Sequence, residues 1–288
     1  MTTLNPAPRV EETRGAVPRA RRRRRGVPRR MPWQYFVVPL VAVGVWELAV
    51  QAGLLDKALV PAPHTAMTTW WVWIFGSAAA LQGPYDGTWL INVWASTQRV
   101  LLGFAIAAVL GSAIGILIGW FRLPRLLFQP LIDVLRPIPI TAWVPFAVVF
   151  FGISGASSIM LIALGAFFPI ALNAAAGAQG TPPVLVSAAR MLGTTPRRVV
   201  WRVVLPAALP PVVTGLRVGL AIAWVLVIVS EMVAVKSGLG FSLWQAYYFT
   251  RPDVIVAAMF SVGVLGYVSD QILIRTTNKL MKWTPDVR

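Results

Sequence analysis

Cysteine is absent from the 288 residues, and histidine occurs once, as His64. These absences exclude a disulfide framework, a thiolate zinc site, a cysteine nucleophile and any multi-histidine metal centre. Charge is scarce as well. Only 12% of residues are Asp, Glu, Lys or Arg, whereas 57% are apolar and the mean hydropathy is +0.69. Soluble domains carry about a quarter of their residues as charges, so this composition is that of a chain whose solvent is largely lipid. A phosphate-cradling P-loop is also missing, because none of Lys57, Lys236, Lys279 and Lys282 follows a glycine. Any nucleotide hydrolysis linked to this chain therefore belongs to another chain.

What charge there is lies unevenly. The net charge is +16, and ten of the 26 basic residues precede Met31. Residues 1–31 are rich in Pro and Arg and read as a disordered basic tail, with Arg21 to Arg25 as a positive-inside signal that also touches anionic lipid. Nucleic-acid or protein binding by that run is the competing account, and without the tail the basic character mostly goes. The apolar stretch at 33–52 is too long for a cleaved signal peptide and reads as a first, uncleaved span.

Further stretches of spanning length fall at 97–120, 130–151, 157–176, 209–233 and 254–274, since about 20 helical residues cross the hydrocarbon core. Segment 66–81 is short and carries Trp70, Trp71, Trp73 and Phe75, which suits a helix lying in the outer interface. With six spans, the basic tail shares its side with Arg122, Arg125, Arg136, Arg190, Arg197, Arg198, Arg202, Arg275, Lys279, Lys282 and Arg288. The other side receives only Lys57, Arg99, Lys236 and Arg251. A seventh span would turn the four arginines at 190–202 outward, so the expected fold is all-α with six transmembrane helices and both termini cytoplasmic. The expected organisation is a tail at 1–31, a membrane domain at 32–283 and a short cytoplasmic end at 284–288.

The third span holds Pro137, Pro139 and Pro145, with Asp133 and Arg136 near its start. Prolines break the backbone ladder, so this span either lines an interior cavity or packs as a kinked helix. Gly103, Gly111, Gly115 and Gly119 form one stripe of the second span and predict a close helix contact. Glu47, Arg217, Glu231 and Asp270 are intramembrane charges. Arg217 and Glu231 lie 14 residues apart on one helix, about 21 Å, too far to pair with each other. Arg217 either borders a translocation path, as do Arg136, Pro137, Pro139 and Glu231 on that reading, or pairs structurally elsewhere. Glu231 and Asp270 alternatively act as struts between helices. His64, beside Pro63, reads as a solvated loop residue.

Residues 177–206 leave the membrane as a helix-turn-helix element. Thr181-Pro182 predicts a helix start, Val184, Leu185, Ala188 and Leu192 recur on one face, and Gly193 is placed to end the helix in a left-handed turn. A second helix opens at Thr195-Pro196, carries Val199, Val200, Val203 and Val204, and is expected to end at Pro206. Such a short amphipathic helix requires a surface, either its own membrane domain or the groove of a partner.

Ser187-Ala188-Ala189, then Leu192-Gly193, then Val203, Leu205 and Pro206 resemble the EAA motif of binding-protein-dependent ABC importer permeases, whose pattern is E-A-A, x3, G, x9, I-x-L-P. Ser187 stands where that pattern has Glu, and Val203 where it has Ile. Pro61-Ala62-Pro63, Arg136-Pro137-Ile138-Pro139, Phe167-Phe168-Pro169-Ile170, Gly238-Leu239-Gly240 and Lys282-Trp283 resemble the nitrate, sulfonate and taurine branch. The resemblance implies a type I importer permease fold in a bacterial inner membrane, and a second permease copy, most simply as a homodimer. It further implies cytoplasmic ATPase subunits docked on the 177–206 loop, and an extracytoplasmic binding protein that delivers a small anion. It implies no catalytic residue, cofactor, metal or nucleic acid on this chain, with ATP used by the partner. The rival classes are an ATP-independent channel or secondary carrier, which internal inverted repeats would favour, and an intramembrane enzyme, for which Glu47, Asp133 and Asp270 are too scattered.

Overall fold

In the computed structural model of the chain the described residues are 34–56, 59–76, 85 and 87–281. The tails at 1–31 and 284–288 lie outside them. The chain divides into two compact units, residues 1–44 and 45–288. Of the first, the described part is the beginning of α1 (Gln34–Gln51). The second contains α2 (Pro63–Phe75), α3 (Trp89–Trp120), α4 (Arg122–Leu135), α5 (Val144–Phe151), α6 (Gly155–Gln179), α7 (Pro183–Met191), α8 (Pro196–Val199), α9 (Leu205–Ala234), α10 (Leu239–Tyr248) and α11 (Pro252–Leu280). All regular structure among the described residues is helical.

Four helical rods are long and apolar enough to cross a membrane: Trp89–Trp120, Gly155–Gln179, Pro196–Ala234 and Pro252–Lys279. The bent pair Arg122–Leu135 and Ile140–Phe151 makes a fifth if taken as one span, and Val37–Gln51 is a shorter apolar helix. These six pieces lie where the six expected spans lie, with three corrections. The second span begins at Trp89, eight residues before the expected start, so Arg99 sits about three turns inside the helix and not at its edge.

The third span is not one kinked helix over 130–151. α4 and α5 meet at 93°, joined by residues 136–139 and a 3₁₀ turn at Ile140–Trp143. The prolines dictate this break. Arg136 is still helical, but Pro137 and Pro139 have no amide to donate to the carbonyls of α4, and Pro139 turns extended at ψ 131°, so the helix stops. Pro145 falls in the first turn of α5, where its missing donor costs nothing.

The fifth span is longer than expected, because Pro206 does not end the preceding helix. The chain runs from Pro196 to Ala234 as one rod, through a π-helical turn at Val200–Val204 immediately ahead of Pro206. A wider turn there makes room for a proline ring that would otherwise meet the carbonyl four residues back.

α6 is the central helix, packed along α3 on one side and α9 on the other. The glycine stripe of α3 faces it. A Cβ at Gly103 would come within 2.7 Å of Ile162, and one at Gly119 within 2.5 Å of the Ala175 carbonyl. At Gly115 it would collide with the Ala171 carbonyl. The sequence predicted this stripe as a contact, and the backbones approach that closely because no side chain intervenes. Gly215 and Gly219 of α9 serve the same purpose against Ile170 of α6.

The aromatic helix α2 packs one face on the bundle. Trp73 is fully buried, packing with Tyr85, Val93, Leu239 and Val254, and Trp70 donates to Ser261 Oγ of α11 at 2.8 Å. Trp71 and Phe75 remain exposed, so α2 leans on α11 with one face only. Residues 77–81 of that expected segment lie outside the described ones. His64 belongs to the first turn of α2 and not to a loop, and its Nδ1 lies 2.7 Å from Glu47 Oε1 at the end of α1.

Candidate functional site

Between α6 and α9 the chain builds a small helical cap. α7 begins at Pro183, one residue later than expected, and ends as predicted: Gly193 has φ +73°, a left-handed conformation that side chains resist. The Leu192, Gly193 and Thr194 amides donate to the carbonyls of Ala188, Arg190 and Ala189, closing the end of the helix. Thr195 precedes Pro196 in extended conformation and α8 opens there. Val199 and Val204 are buried against Ala178 and Ala208, and Val186, Ala189 and Val203 lean on the same cluster.

That arrangement settles which face of α7 points outward. Val184, Leu185, Ala188 and Leu192, the predicted apolar stripe, are all exposed, with Leu192 at 84% and its neighbour Met191 at 88%. Trp201 is exposed beside them in the chain's next helical segment. Ser187 also points outward, so the position where the EAA pattern has Glu is a surface position. Leu205 and Pro206 are half-buried in the first turn of α9. The cap therefore presents large apolar side chains that its own domain does not cover, while its underside fixes it to α6 and α9.

Besides the Glu47–His64 contact at the end of α1, the intramembrane charges form two pairs within the bundle. Glu231 of α9 is fully buried and accepts from Arg99 Nη1 at 2.5 Å, Ser96 Oγ at 2.8 Å and the Gly240 amide at 2.9 Å. Arg99 also donates to the Ser237 carbonyl at 2.7 Å and to Ser237 Oγ at 2.8 Å. Asn92 Oδ1 takes the Gly238 amide and Ser96 Oγ the Leu239 amide. Three amides at the start of α10, those of Gly238, Leu239 and Gly240, are thus met by side chains of α3 and α9, with a carboxylate where the helix dipole favours one. Arg217 pairs with Asp270 of α11, Nε to Oδ1 at 3.0 Å and Nη2 to Oδ2 at 3.1 Å.

Arg136, Pro137 and Pro139 lie at the α4–α5 bend, all exposed. Arg136 has no side-chain hydrogen bond or ion pair among the described residues. The structure thus gathers Ala189, Gly193 and Val203 to Pro206 into one element. It separates Arg217 from Glu231 as expected, giving each its own partner.

A family model described as "Binding-protein-dependent transport system inner membrane component" matches residues 103–277, which contain the cap, the Arg217–Asp270 pair and Glu231. The chain belongs to that family. It is 40% identical over 247 residues to a putative ABC transporter permease of Methanocaldococcus jannaschii, covering 85% of this chain and 90% of that one. It is 32% identical to the taurine transport system permease of Escherichia coli, covering 86% and 88%. Among solved structures it resembles the MetNI methionine ABC transporter in inward-facing conformations, with TM-score 0.52, 26% identity, and coverage of 65% of this chain and 95% of that one. The chain is therefore a multi-pass membrane permease of the ABC importer family with a type I permease fold.

Within this permease, the sequence reading counts Arg99 only among the outer-side charges and names Arg217, Glu231 and Asp270 without their mates. Distances of 132 and 53 residues along the chain separate the members of each pair. The available signal was that an unpaired charge at membrane depth is costly, so each implied a partner.

Proposed function

We propose that this permease is the membrane-spanning subunit of an ATP-driven importer for a small anion, most simply an aliphatic sulfonate such as taurine, or a nitrate-like ion. An extracytoplasmic binding protein delivers the solute, and separate cytoplasmic ATPase subunits supply the energy. On this reading the permease domain at 32–283 spans a bacterial inner membrane six times with both termini inside, works as a homodimer, and binds no cofactor itself. The observation that carries the proposal is the cap at 177–206. Its apolar stripe is exposed, its end is fixed by Gly193, and its residues follow the EAA spacing. A short exposed amphipathic helix on a rigid base is what a partner's groove can grip and move as one body.

Arg136, Pro137, Pro139 and Glu231 border the path in this proposal, Glu231 by holding α10 through its buried network, while Arg217, tied to Asp270, takes the alternative structural role. Affinity capture of the full chain from solubilised native membranes tests the reading. ATPase subunits are expected to co-purify with wild type and to be lost with Gly193→Pro, because proline cannot adopt φ +73°. Retention of size and helicity by the variant shows that the loss is local. A folded wild-type chain that captures no ATPase, with ATP or without it, would return the channel or carrier reading.

A further inference from the structure

α9 and α11 splay apart over part of their length and leave an apolar groove of about 610 Å³ between them. Its floor is closed by Trp224, whose Nε1 donates to Ser269 Oγ at 2.8 Å, and it is kept open by Gly263 and Gly266 of α11. A Cβ at Gly263 would meet nothing within 4 Å. At one end stands the Arg217–Asp270 pair. Asp270 occupies Nε and Nη2 of the guanidinium and leaves Nη1 without a hydrogen-bond partner among the described residues. Arg217 is half exposed there.

Depth sets the identity of what this end meets. Arg217 lies 17 residues from Ala234, and Asp270 lies 18 from Pro252. At 1.5 Å per residue both are about 26 Å from the far ends of their helices, near the edge of a hydrocarbon core about 30 Å thick. That edge is the one on the side of the 177–206 cap. Tyr267, exposed one turn from Asp270, sits where amphipathic rings mark the interface. Arg275 and Lys279, both exposed, follow at the same end of α11. From Arg217 the groove runs about 16 Å along α9 to Ile228, away from that interface and into the apolar layer.

We propose that this groove binds an anionic phospholipid of the leaflet nearest the cap, its phosphate on the free Nη1 edge of Arg217 and one acyl chain lying along Trp224 between α9 and α11. A guanidinium held in orientation by a carboxylate, at headgroup depth and at the mouth of an apolar slot, matches a ligand with an anionic head and a long tail. The charge argues against a purely apolar occupant. The length of the slot argues against a small hydrophilic anion as its main filler.

The test uses the full-length chain in bilayer discs of defined composition. A phosphatidylglycerol carrying a photoreactive acyl chain is expected to label residues 217–228 and 259–270 of wild type. Retained lipid after mild solubilisation, read by native mass spectrometry, is expected to favour phosphatidylglycerol over phosphatidylcholine by about fivefold, the effect of one cation near a headgroup. Arg217→Gln is expected to remove that preference, and Gly263→Leu, which fills the slot, to reduce retention of either lipid. Val109→Leu on an exposed face of α3 outside the groove is expected to change neither. Labelling spread over all exposed helices would overturn the proposal without use of any variant. So would displacement of the lipid by taurine, which would make the slot a solute site, or conversion of a dimer to monomers by Gly263→Leu, which would make it a subunit interface.

Discussion

Glu231 ties the end of α9 to α3 and to the start of α10. A carboxylate without solvent is tolerable only because Arg99, Ser96 and the Gly240 amide all donate to it. Glu231→Gln keeps the shape but strands the Arg99 charge and reverses one donor. We expect a loss of about 3–5 kcal/mol, as found when one partner of a buried pair is removed, measured as a lowered unfolding midpoint in detergent. Replacing both partners together, Arg99→Met with Glu231→Leu, is expected to cost less than Glu231→Gln alone. A double-mutant cycle reads this directly. Tyr85 offers the opposite case. Its hydroxyl is buried without a partner, and burial pushes its phenol up from the ordinary range, so it stays protonated and unpaired. Tyr85→Phe removes a desolvated polar group and is expected to leave the unfolding midpoint unchanged or raise it, by up to about 1 kcal/mol.

At the scale of elements, the fold rests on glycine-lined contacts and on proline-set breaks. Gly115→Ala drives a methyl into backbone of α6 at the Ala171 carbonyl, where nothing flexible can yield. The expected cost is about 1–3 kcal/mol, seen as loss of thermal stability. Gly263→Ala, which meets open space, is expected to be neutral or to stabilise by up to about 1 kcal/mol. Gly193→Ala is expected to cost about 1–2 kcal/mol at the end of α7, without affecting the membrane helices. Hydrogen exchange confined to residues 183–195 would register that difference. The α4–α5 bend and the π turn before Pro206 show the same logic from the proline side: a missing donor is accommodated by breaking the helix in one place and widening it in the other.

For the whole molecule the testable property is orientation. The chain has no cysteine, so single cysteines can be introduced without background. Under the proposed topology Ser187→Cys and Arg197→Cys label with a membrane-impermeant reagent only from the cytoplasmic side. Lys236→Cys is expected to label only from outside. Labelling of positions 187 and 236 from the same side would break the six-span arrangement. Both ion pairs and the cap belong to one bundle built around α6, so motion of the cap reaches α9 directly, through a rod that is continuous from Pro196 to Ala234. This continuity gives a physical basis for coupling an event at the cap to the far end of α9, where Glu231 holds α10.

The sequence by itself determined everything governed by local pattern. Apolar runs located the spans along the chain, though not their starts, the glycine spacing announced the α3–α6 contact, and the Ala188-to-Gly193 and Val203-to-Pro206 spacing announced the cap, because period, φ preference and missing donors are properties of neighbours along the chain. Tertiary structure decided what depends on residues far apart. It turned the Val184–Leu192 stripe outward, buried Trp73 while leaving Trp71 exposed, and drew Arg99 to Glu231 and Arg217 to Asp270. It also turned one expected span by 93° and let another run through Pro206. The reason is energetic. A charge in an apolar bundle must find its counter-charge wherever the packing of helices brings one, and no local spacing records which helix that is.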